Sequence, residues 1–230
     1  MKALKLISRV VLFLILLFIL YELWILAQIG WWRSNNPSSS AFMDTRLAVM
    51  REKNPAATLR HQWVNYDRIS MHLKRALMVS EDARFLSHEG FDWEAIEKAL
   101  EKNIERGKVV AGGSTISQQL AKNMFLSGDR TALRKVQESL ITVMLEAVLT
   151  KRRIFEIYLN MIEWGDGVFG AQAAATHYYK LDASNLNASQ AARLAAMVPS
   201  PRYYDKNRNT RFLDRRTATI LARMPAAVVP

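Results

Sequence analysis

The sequence predicts a mainly α-helical domain carried behind one N-terminal transmembrane helix. Three observations predict it. Residues 10–29, VVLFLILLFILYELWILAQI, form a run of 20 with a single charge, Glu22, and about 20 apolar residues are enough helix to cross a bilayer. Beyond residue 40, apolar residues recur at spacings of three and four, the period of a helix with one buried face. No stretch shows the sustained apolar-polar alternation of a half-buried strand.

Lys2, Lys5 and Arg9 precede the apolar run and favour a cytoplasmic N-terminus over residues 1–9, while Trp24, Trp31 and Trp32 suit the far interface. The run is longer than a signal-peptide core, and GWWR follows it without a small-residue cleavage pattern, so residues 10–29 are expected to be an uncleaved signal anchor. Glu22 is costly at mid-membrane. Either the span is shifted toward the N-terminus, or this carboxylate pairs with another helix. The net charge is +11, and leaving out Lys2, Lys5, Arg9 and Glu22 lowers it only to +9. That basic balance, placed outside a membrane, faces an anionic leaflet or a lipid-linked phosphate and excludes nucleic acid as the expected partner. There is no cysteine, hence no disulfide framework and no thiolate zinc site.

Residues 30–40 are expected to be a linker, because SNNPSSS (34–40) is polar and turn-rich, and the folded domain is expected over 41–230. Phe42, Leu47 and Met50 suggest a short helix closed by Pro55; residues 61–67 read as an irregular connector. A helix from Ser70 to Glu81 carries Leu73, Ala76 and Leu77 inward. Asp92 reads as the N-cap of a helix through Arg106 that turns Ile96, Leu100 and Ile104 inward and stops at Gly107. In Val109–Asn123, VVAGGSTISQQLAKN, Thr115 and Gln118 have the spacing of a capping box. Asp129 or Thr131 opens the next helix, with Leu133, Val136, Leu140, Met144 and Ala147 as its buried stripe. Thr150 opens another, with Ile154, Ile157, Tyr158 and Met161 inward. After a glycine-rich passage come helices over 171–179, near 189–198 and over 210–224.

The decapeptide EDARFLSHEG (81–90) puts Glu81 and Asp82 at a helix-to-loop junction beside Arg84, Phe85 and His88. Such a carboxylate is readily tuned into a general base, yet a solvated helix end looks the same in sequence. Its company matters more. Ser114, Gln118, Gln119, Lys122 and Asn123 crowd polar groups around a helix start that is able to receive an anion. Arg134 and Lys135 stand four and three residues before Glu138, within reach of it on a helix. The four histidines show no metal-binding spacing.

Taken together, EDARFLSHEG, GGSTISQQLAKN, RKVQESLITVMLE and KRRIFEIYLN, in this order and spacing, resemble the successive motifs of the family 51 peptidoglycan glycosyltransferases. The resemblance covers about Phe42 to Tyr204. It is to the monofunctional members, since the chain leaves no room for a transpeptidase domain and has no S-x-x-K tetrad. It implies a lysozyme-like helical head and a smaller, membrane-facing jaw, acting on lipid II and the nascent glycan strand at the bacterial inner membrane, with the catalytic domain periplasmic. It implies that the acceptor's GlcNAc 4-hydroxyl attacks C1 of the donor's MurNAc, with inversion to a β-1,4 bond and departure of the lipid pyrophosphate.

In that reaction Glu81 is the candidate base and Glu138 the second family carboxylate, either orienting cations or holding a divalent ion, Mg or Mn, on the pyrophosphate. No other cofactor is expected. Lys122, Arg134 and Lys135 would stabilise the leaving group, and Ser114, Gln118, Gln119 and Asn123 would hold sugar or phosphate oxygens. Arg84, Asp82 and His88 match the first motif and serve equally well as structural groups; Glu156 is expected to be structural. Met124, Phe125 and Leu126 are expected to dip into the leaflet. Other cell-wall synthesis or division proteins stay open as partners. A glycan-cleaving muramidase or lytic transglycosylase is the rival reading, and a non-catalytic membrane-tethered cell-wall organiser is the second.

Overall fold

The computed structural model describes residues 2–108, 112–126, 128 and 131–230. Its first helix, α1 (Lys2–Trp31), is unbroken over 30 residues, about 45 Å at 1.5 Å per residue, and is long and apolar enough to cross a membrane. Leu, Ile, Phe and Val side chains are exposed all round its first two thirds, as on a lipid-facing helix. Its last turns differ. Ile25, Ile29 and Trp32 are buried in the domain core, and Glu22 accepts a 2.6 Å hydrogen bond from Gln137 of α6 (Ala132–Val148). Of the two fates open to Glu22, pairing with another helix is the one observed. The stretch expected as a spacer is also held. Arg153 donates to the backbone oxygens of Trp32 and Asn35 at 2.7 Å, and Ser40 caps α2 (Ala41–Lys53).

Short-range chemistry starts the helices around the centre of the domain. Ser70 caps α3 (Met71–Glu81), and Asp92 caps α4 (Trp93–Arg106), which Gly107 closes in the left-handed region at φ +61. The predicted capping box is present: Thr115 accepts from the Gln118 N–H while the Gln118 side chain accepts from the Thr115 N–H, opening α5 (Ile116–Phe125). Thr131 opens α6; the alternative start Asp129 and residues 109–111 lie outside the described residues. Thr150 caps α7 (Lys151–Met161). The rest of the domain is α8 (Ala171–Tyr179), α9 (Ala188–Met197), α10 (Pro201–Lys206) and α11 (Arg211–Arg223).

α3 packs on α9 and α11, and α5 on α6 and α7. Phe85 and Phe155, both fully buried, join these two groups with ring centroids 6.0 Å apart. Three strands too short for any alternation to announce them complete the domain: β1 (Arg60–His61), β2 (Glu163–Gly165) and β3 (Val168–Phe169). Their order is β1-β3-β2, with β1 parallel and β2 antiparallel to β3. Gly170 follows at φ +83, where a Cβ would stand 2.6 Å from the Asn160 carbonyl oxygen, so the chain needs glycine there.

Two expected apolar stripes face outward. On α4, Leu100 and Ile104 are exposed and only Ala99 is buried. On α6, Leu133, Val136, Leu140 and Ala147 are exposed, and the buried face is Glu138, Ile141, Thr142 and Leu145. Both faces of α6 have helical spacing, and hydropathy favours the wrong one. The correct face is buriable because Glu138 is paired by cations and the Thr142 hydroxyl donates back to the Glu138 carbonyl at 2.7 Å. The three residues expected to enter the leaflet are covered instead. Met124 and Leu126 are buried, and Phe125 stacks on Trp32 at 5.1 Å, under the end of α1.

Candidate active site

Glu81 ends α3 with a side chain only 9% exposed. Gln119 of α5 donates to its Oε2 at 3.1 Å, and the Ser80 hydroxyl and Arg216 of α11 reach its Oε1 at 3.2 and 3.4 Å. Burial is the largest influence on this carboxyl and raises its pKa; the Gln119 bond, the Arg216 charge and the Ser80 bond oppose the rise, and Asp82 adds to it. A carboxylate so placed binds a proton more readily than one in water, which is what a general base needs.

Gln119 is itself oriented from behind. The fully buried Tyr158 donates its hydroxyl hydrogen to Gln119 Oε1 at 2.9 Å, which turns Nε2 toward Glu81. Burial, with Glu81 and Asp82 nearby, holds the Tyr158 phenol well above its ordinary pKa, so it keeps the proton it donates. An amide nitrogen carries two hydrogens. One reaches Glu81, and the same side chain borders the cavity beyond it.

Asp82 has a different task. The Gly90 N–H donates to His88 Nδ1 at 3.2 Å, so Nε2 carries the ring hydrogen and donates to Asp82 at 3.1 Å. Asp82 Oδ2 also accepts from the Ile116 N–H at 3.0 Å, a carboxylate on the first amide of α5. The acidic pair of the first motif thus divides: Asp82 ties α3 to α5, and Glu81 meets Gln119.

A cavity of about 360 Å³ lies beyond Gln119, within the range of ligand sites. Lys122 and Asn123 of α5, Arg134 of α6, Glu163 of β2 and Arg202 of α10 line it. Glu138 supports this wall from inside α6: it is buried, and its two oxygens accept from Arg134, at 2.7 Å, and from Lys135. Of the two roles open to Glu138, orienting cations or holding a divalent ion, the pairing of each oxygen with a cation is the geometry of the first. Asp82, His88 and Asp92 each bring one ligand atom within 4.8 Å of the others, but Asp92 caps α4 and the other two bond each other.

The fold therefore brings together Glu81, Gln119, Lys122, Asn123, Arg134, Lys135 and Glu138. It leaves three candidates apart. Gln118 is buried in its capping box, Ser114 is exposed ahead of the helix, and Arg84 pairs with Glu94 and Asp92 on the surface. Glu156 holds the Tyr66 N–H at 2.8 Å and Arg153 at 2.6 Å, a structural post as expected. Tyr158, Arg216, Glu163 and Arg202 were not among the candidates. Only Tyr158 carried a signal, since a tyrosine on a fully buried stripe must find a partner for its hydroxyl.

Residues 48–225 match the family described as Transglycosylase. The chain is 63% identical over 227 residues to a biosynthetic peptidoglycan transglycosylase of Laribacter hongkongensis, covering 99% of this chain and 100% of that protein. It is 61% identical over 222 residues to one of Nitrosospira multiformis, covering 96% of each. With one of Chromobacterium violaceum it shares 58% over 226 residues, covering 98% of this chain and 99% of that protein.

Proposed function

Because the chain belongs to the transglycosylase family and is a peptidoglycan transglycosylase of cell-wall biosynthesis, we propose that it polymerises lipid II on the outer face of the inner membrane. The observation that carries this reading is one shared residue. Gln119 touches both the buried carboxylate Glu81 and the cationic cavity. Glu81 takes the proton of the acceptor's GlcNAc 4-hydroxyl as that oxygen bonds to C1 of the donor's MurNAc. The bond from C1 to the pyrophosphate oxygen breaks from the opposite side, giving a β-1,4 linkage, and the pyrophosphate leaves with the electron pair. Lys122 and Arg134 meet the charge that develops on it, and such preorganised donors are the largest single contribution in many enzymes. Glu138 holds Arg134 and Lys135 in place for that task.

A glycan-cleaving enzyme has no pyrophosphate to stabilise, so the cationic wall favours polymerisation over the muramidase and lytic readings. The full-length protein in detergent is expected to turn lipid II into polymer and to leave finished glycan strands uncut. Cleavage of the strands without polymerisation would reverse this reading, and turnover of neither would favour the organiser.

On this reading the helix over 10–29 is a signal anchor with residues 1–9 cytoplasmic and the domain periplasmic, and the enzyme is monofunctional, without transpeptidase activity. We read the exposed apolar faces of α4 and α6 as the membrane-facing jaw and the remaining helices as the lysozyme-like head. Replacing Leu133, Val136 and Leu140 together by serine is expected to change stability in detergent by no more than about 0.5 kcal/mol per site, as for surface positions. In proteoliposomes the same variant is expected to polymerise several-fold more slowly. Equal rates there would place the jaw elsewhere.

A further inference from the structure

A second cavity, of about 440 Å³, is built on the last third of α1. It lies where that helix changes its surroundings: the apolar side chains from Leu4 to Leu20 are exposed, whereas Ile25, Ile29 and Trp32 belong to the domain core. Tyr21 and Trp24 form one wall, stacked with ring centroids 6.0 Å apart. They are 42% and 54% exposed, so a ligand in the cavity reaches them. Trp32 and Phe125, stacked on each other, form a second aromatic wall. Ser39, from the segment that leads into α2, and Asp44, in the first turn of α2, complete the lining used here.

The charge of this cavity is opposite to that of the chain around it. The sequence carries a net +11, and Lys122, Arg134 and Arg202 line the cavity beyond Gln119. Among the described residues no lysine or arginine lines the cavity on α1, and one carboxylate does, Asp44. Asp44 is exposed, its Oδ1 accepts from the Ser39 hydroxyl, and among the described residues no cation pairs with it. A phosphate finds no positive partner there. An accessible carboxylate faced by tyrosine and tryptophan rings is the complement of an ammonium group, which the carboxylate attracts by charge and the rings by their quadrupole.

The position of the cavity says what carries that ammonium. Tyrosine and tryptophan on a membrane-spanning helix sit at headgroup level, and the apolar surface that precedes Tyr21 on α1 is exposed, so the cavity is entered from the bilayer. We propose that it binds a phospholipid whose headgroup ends in a protonated primary amine. The amine lies between the Tyr21–Trp24 pair and Asp44, which accepts a hydrogen bond from it, and the acyl chains run along the exposed apolar side chains before Tyr21. The inference rests on the reading of α1 as a membrane anchor and is independent of the sugar chemistry. It adds a lipid site that joins α1 to α2 and to the end of α5.

The test mixes the full-length protein in detergent with equal amounts of phosphatidylethanolamine and phosphatidylglycerol, and native mass spectrometry counts the lipids retained. A basic domain without such a site favours the anionic lipid. The wild type is expected to retain phosphatidylethanolamine over phosphatidylglycerol by about fivefold, the scale of a cation held at aromatic faces. Asp44→Asn, which keeps an oxygen for Ser39, is expected to lose that preference at unchanged melting temperature. N-acetylated phosphatidylethanolamine, which has the same chains and phosphate but no positive charge, is expected to be retained no better than phosphatidylglycerol. Equal retention of the two lipids or a preference for phosphatidylglycerol by the wild type would overturn the site, as would an undiminished preference in Asp44→Asn. Retention of the acetylated lipid equal to that of its parent would overturn it too, by making the cavity a seat for chains alone. If Asp44→Asn does not fold, Trp24→Leu carries the same expectation. A protein that is soluble without detergent and retains neither lipid would overturn the anchor reading, and the site with it.

Discussion

Glu81→Gln is expected to lower polymerisation of lipid II by about 10³-fold, within the 10²–10⁴ range of general-base catalysis, while stabilising the fold at neutral and alkaline pH. Both effects come from one environment. The amide keeps the shape and an acceptor oxygen for Gln119 but cannot take a proton. The stability effect follows from the raised pKa of Glu81, caused first by burial. Between the ordinary carboxylate value and the raised folded value, the folded protein holds a proton that the unfolded chain releases. Wild-type stability therefore falls as pH rises through that window and stays lower above it. A glutamine does not titrate, so the variant's advantage grows from acidic to alkaline pH. Thermal melts of both proteins at pH 4 and pH 8 measure it, and a wild type that gains on the variant as pH rises would contradict the assignment. The same shift puts the acid limb of the wild-type rate profile above the ordinary carboxylate range.

Glu138→Gln is expected to reduce kcat by about 10²-fold, the scale of losing a preorganised charge-stabilising group, with a smaller change in KM. The carboxylate occupies the narrow interval between Arg134 and Lys135 and takes a hydrogen bond from each. An amide offers one of those cations an N–H group instead of an oxygen, so the arginine and lysine separate and the wall facing the pyrophosphate loses its shape. Hydrogen bonds to charged groups contribute about 1.5–3 kcal/mol each, so a fall in stability of about 2 kcal/mol should accompany the loss of turnover. Turnover within twofold of wild type would remove Glu138 from the mechanism.

The sequence made the helix starts legible because capping is local: Ser70, Asp92, Thr115 and Thr150 each serve an amide two or three residues away. It also made the long apolar first helix legible, since length and apolarity suffice to announce one. The direction of a helix face was not. On α6 two stripes compete, and the choice depends on whether Glu138 finds cations, which hydropathy does not weigh. Gln118 and Gln119 show the same limit within the site. They are neighbours in sequence but about 100° apart around a helix, so one closes a cap and the other touches the base. Arg216 is 135 residues from Glu81, and no local pattern announces a contact that only the packing of α11 on α3 creates. Glu163 lies on a strand of three residues, too short to mark it as anything but part of a glycine-rich turn.

The contact between Glu22 and Gln137 makes α1 a depth gauge for the domain. Gln137 immediately precedes Glu138, so one turn of α6 grips the anchor and also carries the arginine and lysine assigned to the leaving group. A rigid helix that runs from the bilayer into the core cannot tilt or sink without taking that turn with it. Bilayer thickness, which sets how far an apolar helix emerges, thereby sets the height of those cations above the headgroups. The phosphates of a lipid-linked substrate are confined to one level. On the proposed reading, vertical register becomes part of recognition, and a transmembrane helix of different length would detune the enzyme without altering any residue that touches the sugar.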